Sequence, residues 1–291
     1  MTVAAFAPGH VSGLFAVHDE AANVEAKGSR GAGWSVELGA TAVVEAASET
    51  SISIGGRPAV ANATRLALHR LAPDRHVQVD LRLGLPVGQG FGMSAAGSLA
   101  ACLAAANVLG LEPEAALAAA HGAEVESGTG LGDAVAAWSG GAEIRIQPGI
   151  PPYGQVVRVD PPTDTAFLFA VAGDPIPTSG IIRDPAWQAT TRRLGDAAVD
   201  RIVAAGRPRA WPAILEESAR FSRELGLMPT ALADLGRRLP PGVQWGQAML
   251  GSNLWATGAP GELDEAERVL RRAGQVIRTG VDRTGVRLVR R

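Results

Sequence analysis

The chain has 291 residues, 46% hydrophobic and 19% charged, with a net charge of −2 at pH 7. That length can bury a large core in one or two domains, and the composition excludes a disordered chain; without a basic block, nucleic acid is not expected as the main partner. The longest apolar runs are alanine-rich and too short or too interrupted to span a bilayer, and no basic n-region with a long apolar core opens the chain, so a cytoplasmic protein is expected.

In chain order, Val3–Phe6 reads as a short strand leading to Ala7-Pro8-Gly9-His10-Val11-Ser12, where Pro-Gly is expected to turn. Lys27-Gly-Ser-Arg-Gly-Ala-Gly33 follows and reads either as a hairpin loop with exposed charges or as a backbone cradle with an Arg30 fork for a carboxylate. Lys27 is the only lysine, so any lysine chemistry would have to use it. Strands are expected at Trp34–Leu38, Thr41–Ala46 and Ser51–Ile54, the last closed by Gly55-Gly56, and a helix at Ala59–Leu71. His76–Leu83 alternates apolar and polar residues with the period of a half-buried strand.

The stretch Pro86-Val-Gly-Gln-Gly-Phe-Gly-Met-Ser-Ala-Ala96 then leads into an alanine-rich helix running from Ser94 to Leu109. Strand, glycine loop and helix start aim free backbone N–H groups and a positive dipole end at one spot, where phosphates bind. Gly88, Gly90 and Gly92 allow a ligand close to the backbone. The same glycines would also serve a plain tight turn, with Ser94 as its N-cap. No Lys-Ser/Thr pair follows, so this is not a Walker loop, and the G-x-G-x-G spacing is not a dinucleotide fingerprint. The single Cys102 sits inside the helix as packing and cannot form an internal disulfide.

A second alanine-rich helix, Glu112–Glu126, ends in Ser127-Gly-Thr-Gly-Leu-Gly-Asp133, where Asp133 either caps the next helix or serves chemistry. Strands are expected at Ala142–Ile146, Val156–Asp160 and Thr165–Ala172. Gly173–Gly180 is the candidate domain boundary, and Thr178 and Ser179 are possible cleft hydroxyls. Helices dominate afterwards, at Ala186–Ala205, Trp211–Leu225 and Pro229–Arg238, with Trp187 and Trp211 expected to pack between helices. Gly246–Ala256 reads as a strand with a bulge, Glu262–Ala273 as a helix, and Gln275–Arg278 and Val286–Val289 as closing strands.

The loop at 86–96 resembles the P-x-x-x-G-L-G-S-S-A-A signature of the GHMP kinases: Pro86, Gly90, Gly92, Ser94, Ala95 and Ala96 match, while Phe91 replaces Leu and Met93 the first Ser. Ala7-Pro8-Gly9 is similar to that family's first motif, and Ser127-Gly128, Asp133, Ala134-Val135, Trp138 and Gly140-Gly141 to its mevalonate-type segment. The Pro-Gly-His-Val-Ser-Gly-Leu-Phe opening, the Gly-Ser-Arg-Gly-Ala-Gly run and Met249–Asn253 look like the archaeal-type pantoate kinase branch.

The resemblance implies a two-domain α+β fold, with a ribosomal protein S5 domain 2-like N-terminal domain (1–174) and a ferredoxin-like split βαβ C-terminal domain (175–291). It implies phosphorylation of the pantoate hydroxyl to 4-phosphopantoate, with ATP and Mg²⁺, in coenzyme A biosynthesis. Gly88, Gly90, Gly92, Met93, Ser94, Ala95 and Ala96 would bind the nucleotide, and His10, Ser12 and Arg30 the acceptor. Asp133 would be the catalytic carboxylate, and Ser94 with Glu124 or Glu126 would hold the metal, Glu124 being preferred. Two glutamates two apart on a helix diverge, so only one can serve. Another GHMP kinase acting on a homoserine- or mevalonate-like acceptor, or a catalytically silent regulatory binding protein of this fold, are the alternatives. A homodimer is held open as the assembly.

Overall fold

Small residues at the N-terminus build two long antiparallel strands, β1 (Thr2–His18) and β2 (Gly28–Ala46), in a computed structural model that describes every residue except 177–179, 181, 273 and 291. Residues 7–17 of β1 are buried one after another, which happens to a strand only when both its faces are covered. Along the first sheet the order is β12-β1-β2-β5-β3-β4, with β6 added to β2 and β7 to β6. Its other strands are β3 (Ser51–Ile54), β4 (Arg57–Pro58), β5 (Val77–Leu83), β6 (Ala142–Gln147), β7 (Gln155–Val159) and β12 (Arg287–Val289).

Helices α1 (Asn62–Leu71), α2 (Met93–Leu109), α3 (Glu114–Ser127) and α4 (Asp133–Ser139) accompany this sheet. Helix α2 is apolar all round and lies against β1 and β2, as expected of a helix buried on every side. Its alanines let helices and sheet approach closely, and glycines in the left-handed region bound it at Gly92 and Gly110.

The second sheet runs β11-β8-β10-β9, all antiparallel. Its strands are β8 (Ala166–Val171), β9 (Gln244–Gly246), β10 (Asn253–Thr257) and β11 (Gln275–Gly280). Helices α5 (Pro185–Ala205), α6 (Ala210–Leu225) and α7 (Thr230–Gly236) separate β8 from β9, and α8 (Pro260–Leu270) separates β10 from β11. That is the connectivity of a split βαβ sheet. Helices α5 and α6 also pack on β1 and β2, so they cover the first sheet as well. No helix among the described residues is long and apolar enough to cross a membrane.

The structure corrects several local expectations. Pro8-Gly9 does not turn the chain; β1 runs through it with a register shift, because a bulge absorbs the irregularity within an antiparallel pair. Gly28–Gly33 is the start of β2 rather than a loop, and the two strands expected over residues 34–46 are one. The Gly246–Ala256 stretch is a hairpin, β9 and β10 pairing antiparallel across residues 247–252, rather than one bulged strand. A boundary at residue 174 cuts across the sheets: β8 precedes it yet sits inside the second sheet, and β12 follows it yet pairs with β1.

An aromatic seam joins the two sheets. Trp34 of β2 stacks on Phe167 of β8 with centroids 4.6 Å apart and meets Trp255 of β10 edge-on at 5.3 Å. Phe91 of the glycine loop meets Phe169 of β8 edge-on at 5.0 Å. Trp211, expected between helices, instead meets Trp34 and Phe167 edge-on. Each aromatic pair adds to the area it buries, so the seam fixes how the second sheet sits over the loop. Truncating fully buried Phe167 to Ala should cost about 3–5 kcal/mol, read from the midpoint shift in chemical denaturation.

Candidate active site

The loop between β5 and α2 carries Gly88, Gly90 and Gly92, all with positive φ. Strand geometry ends after Leu83, and these residues turn the chain so that α2 begins at Met93 with its first-turn N–H groups facing outward. The loop is held from both sides. His10 donates its backbone N–H to Phe91 O at 3.0 Å. The buried Asn253 amide bonds Gln89 O and accepts from Ala248 N at 3.1 Å, while Gln89 Nε2 donates to Gly173 O at 3.1 Å. A cavity of about 320 Å³ opens beside the loop. Gly88, Gly90, Gly92, Met93 and Ser94 line it; Ala95 and Ala96 are fully buried in α2 beneath them.

Two carboxylates enter the same cavity. Glu124, near the end of α3, is buried and accepts a hydrogen bond from Ser94 Oγ at 2.6 Å. Burial, reinforced by the negative charge of Asp133, pushes its carboxyl up to about 7 against the hydrogen bonds of Ser94 and Thr129. Glu126 points elsewhere and pairs with Arg70, as the helical period requires. Asp133 opens α4 but does not cap it; its Oδ1 instead takes His10 Nδ1 at 2.7 Å, and Ser12 Oγ lies 3.4 Å away. A Cβ placed on Gly92 would stand 3.2 Å from Asp133 Cγ, so loop and acid are in contact. A Cβ on Gly130 would stand 2.8 Å from Glu124 Oε2 and 3.2 Å from Asp133 Oδ2, which places one oxygen of each carboxylate around one point.

The Ser94–Glu124 pair offers only oxygen donors, one of them a buried carboxylate whose ionisation is disfavoured until a cation arrives. That donor set fits a hard divalent ion such as Mg²⁺, which takes one or two carboxylates and fills its shell from phosphate and water.

Other predicted residues fall differently. Ser12 lines the cavity. His10 does not: its imidazole is fully buried behind Asp133, with Nε2 2.9 Å from Glu143 Oε1. Arg30, expected to meet an acceptor carboxylate, has its guanidinium committed to Asp196 and Asp200, each at 2.8 Å, and to Ile146 O at 2.9 Å. The reason is the two-residue period of a strand: Ser29 faces the cavity, so Arg30 faces α5. Thr178 and Ser179 lie outside the described residues.

Sequence reasoning missed Ser29, Glu143 and Arg145. In Ala-Glu-Ile-Arg-Ile-Gln the charges alternate as on a solvated strand face, yet Glu143 and Arg145 are buried and bonded to each other. Arg145 Nη2 reaches Ser12 Oγ at 3.4 Å, and its Nε has no hydrogen-bond partner among the described residues.

Comparisons with known proteins show what the chain is similar to along most of its length. The family described as GHMP kinases N terminal domain matches residues 59–141. A pantoate kinase of Methanospirillum hungatei is 30% identical, covering 97% of this chain and 95% of its own. A pantoate kinase of Thermococcus kodakarensis is 28% identical, covering 93% and 92%. A solved structure described as a phosphotransferase related to the CoA biosynthesis pathway superposes with a TM-score of 0.87 at 25% identity, covering 100% of this chain and 99% of its own.

Two outcomes are expected of the cavity. Gly130→Ala would drive a methyl group between Glu124 and Asp133 and should lower turnover at least about tenfold with little loss of fold, read by steady-state kinetics beside circular dichroism. Because the Glu124 carboxyl is raised in the folded chain, its favourable contribution is full below its ordinary value near 4.5 and is lost as pH rises through about 7. Glu124→Gln should therefore raise the melting temperature of the ligand-free protein at pH 8 by roughly 2–4 °C, and the gain should shrink toward pH 5 in a thermal-shift series.

Proposed function

The chain belongs to the GHMP kinase family, and from that premise we propose that it transfers the γ-phosphoryl group of ATP to the hydroxyl of pantoate, giving 4-phosphopantoate on the way to coenzyme A. The observation that carries the proposal is a convergence: Gly92 of the anion-binding loop touches Asp133, while Ser94 two residues later holds Glu124. Pantoate is favoured as acceptor because relatives that span nearly the whole chain carry that activity in their names.

In this reading the residues divide the work by chemistry. Backbone N–H groups of the loop and the start of α2 receive the triphosphate. Ser94 and Glu124 would hold Mg²⁺, which would neutralise phosphate charge during transfer. The Oδ2 oxygen of Asp133 lies beside Gly130, where it orients the acceptor hydroxyl and takes its proton as the bond to phosphorus forms. Ser12 and Ser29 line the same wall and suit a hydroxylated acid. For the acceptor's carboxylate we assign Arg145 in place of Arg30, because Arg145 keeps an unpartnered buried Nε–H against Gly132 and Ser29, both of which line the cavity, and such a donor costs free energy until an acceptor meets it.

A panel of pantoate, homoserine and mevalonate with ATP and Mg²⁺, followed by ADP release, tests the assignment. Pantoate-dependent release is expected; release with another acceptor alone would reassign the substrate. Asp133→Asn should lower kcat by about 10²–10⁴-fold while leaving ATP affinity, measured by calorimetry, unchanged.

A further inference from the structure

Four ionisable side chains form one row that starts at Asp133 on the cavity rim and runs back through buried His10, Glu143 and Arg145. His10 Nδ1 lies 2.7 Å from Asp133 Oδ1, and its Nε2 lies 2.9 Å from Glu143 Oε1. Glu143 also accepts from Arg145, which reaches back to Ser12. A neutral imidazole has one N–H and one bare nitrogen, and a bare nitrogen cannot donate to a carboxylate. With carboxylate oxygens at both ends, the ring is satisfied only when both nitrogens carry protons. Charge counting agrees. Asp133, His10, Glu143 and Arg145 then alternate in sign and sum to zero, whereas a neutral His10 would leave two carboxylates against one arginine, a costly arrangement out of water.

The same histidine is tied to the loop through its backbone, with His10 N donating to Phe91 O. Asp133 has a side chain 20% exposed at the cavity rim, and its hydrogen bond to His10 is far shorter than its contact with Ser12. Orientation of the acid therefore depends on the ring behind it.

We propose that His10, held as an imidazolium between Asp133 and Glu143, is a positioning residue that fixes the Asp133 carboxylate toward the acceptor hydroxyl, and that Glu143, facing no substrate, sustains that charge. The inference rests on the kinase reading of the cavity. Burial pulls the imidazole down, but the charge of Glu143 and the hydrogen bonds of both carboxylates lift it to about 9. The groups facing the ring are Asp133 from α4 and Glu143, with Arg145 behind it, from β6; Ser12 on its own strand meets Asp133. The stabilisation from this charge is complete below the ordinary histidine value near 6.5 and disappears as pH rises through about 9.

The test has two readouts. Nitrogen-15 NMR of the imidazole in the wild-type protein should show both His10 nitrogens protonated at pH 8, with no variant needed; a neutral ring at pH 7 would overturn the proposal. The pH profile of kcat is then compared between wild type and Glu143→Gln. The wild-type profile should hold until about pH 9, and that of E143Q should fall at least about one pH unit earlier, making it at least about threefold slower than wild type at pH 8.5 relative to their rates at pH 6.5. A purely structural role for Glu143 would lower both ends of the profile alike. Coinciding profiles in an active enzyme overturn the positioning role alone, whereas a wild type inactive on every acceptor overturns the kinase reading with it.

Discussion

The hydrogen bond from His10 to Asp133 joins the first strand of the chain to a helix 123 residues later, and the cavity is assembled around that contact. The histidine backbone holds Phe91 of the glycine loop while its ring holds the acid. One residue thus sets the distance between the glycine loop and the carboxylate facing it. Positioning of this kind matters most in phosphoryl transfer, where the protein contributes orientation and charge rather than covalent chemistry.

Two acids share the cavity yet sit in different electrostatic company. Asp133 is backed by a buried cation and opens toward Gly130, whereas Glu124 has a serine hydroxyl and a low-dielectric wall. Separating acids by environment is how one site gives them different roles. In the proposed reaction this leaves Glu124 as the group with most to gain from a divalent ion, and Asp133 as the group already compensated and available to the acceptor.

The second sheet completes the site rather than standing beside it. Met249 and Leu250, from the β9–β10 connection, line the cavity, and Met249 N donates to Ser12 O at 2.9 Å. Asn253 holds the loop backbone at Gln89 from the same side. The aromatic seam of Trp34, Phe167 and Trp255 keeps these contacts in register, so the glycine loop is gripped by both sheets.

Much of the local structure was legible in the residues. Strand β5, the glycine loop and helix α2 follow from the alternation at 77–83, the glycines at 88–92 and the alanine run after them, because each is dictated by a short period or by permitted φ. Asp133 stood out through the resemblance of its segment to the family motif, since by itself it also reads as an N-cap. Less legible were the positions whose meaning depends on what packs above them. Pro8-Gly9 reads as a turn until a partner strand straightens it into a bulge, and Arg30 reads as a ligand fork until the pleat shows that Ser29 has the cavity side. Glu143 and Arg145 look like a solvated strand face because alternation tells which residues share a face but not what covers it. Composition and spacing by themselves marked strand β5, the glycine loop and helix α2, and left Asp133 open between a helix cap and a chemical acid. Only the tertiary structure decided which charges are buried together, since burial and pairing belong to contacts between segments far apart in the chain.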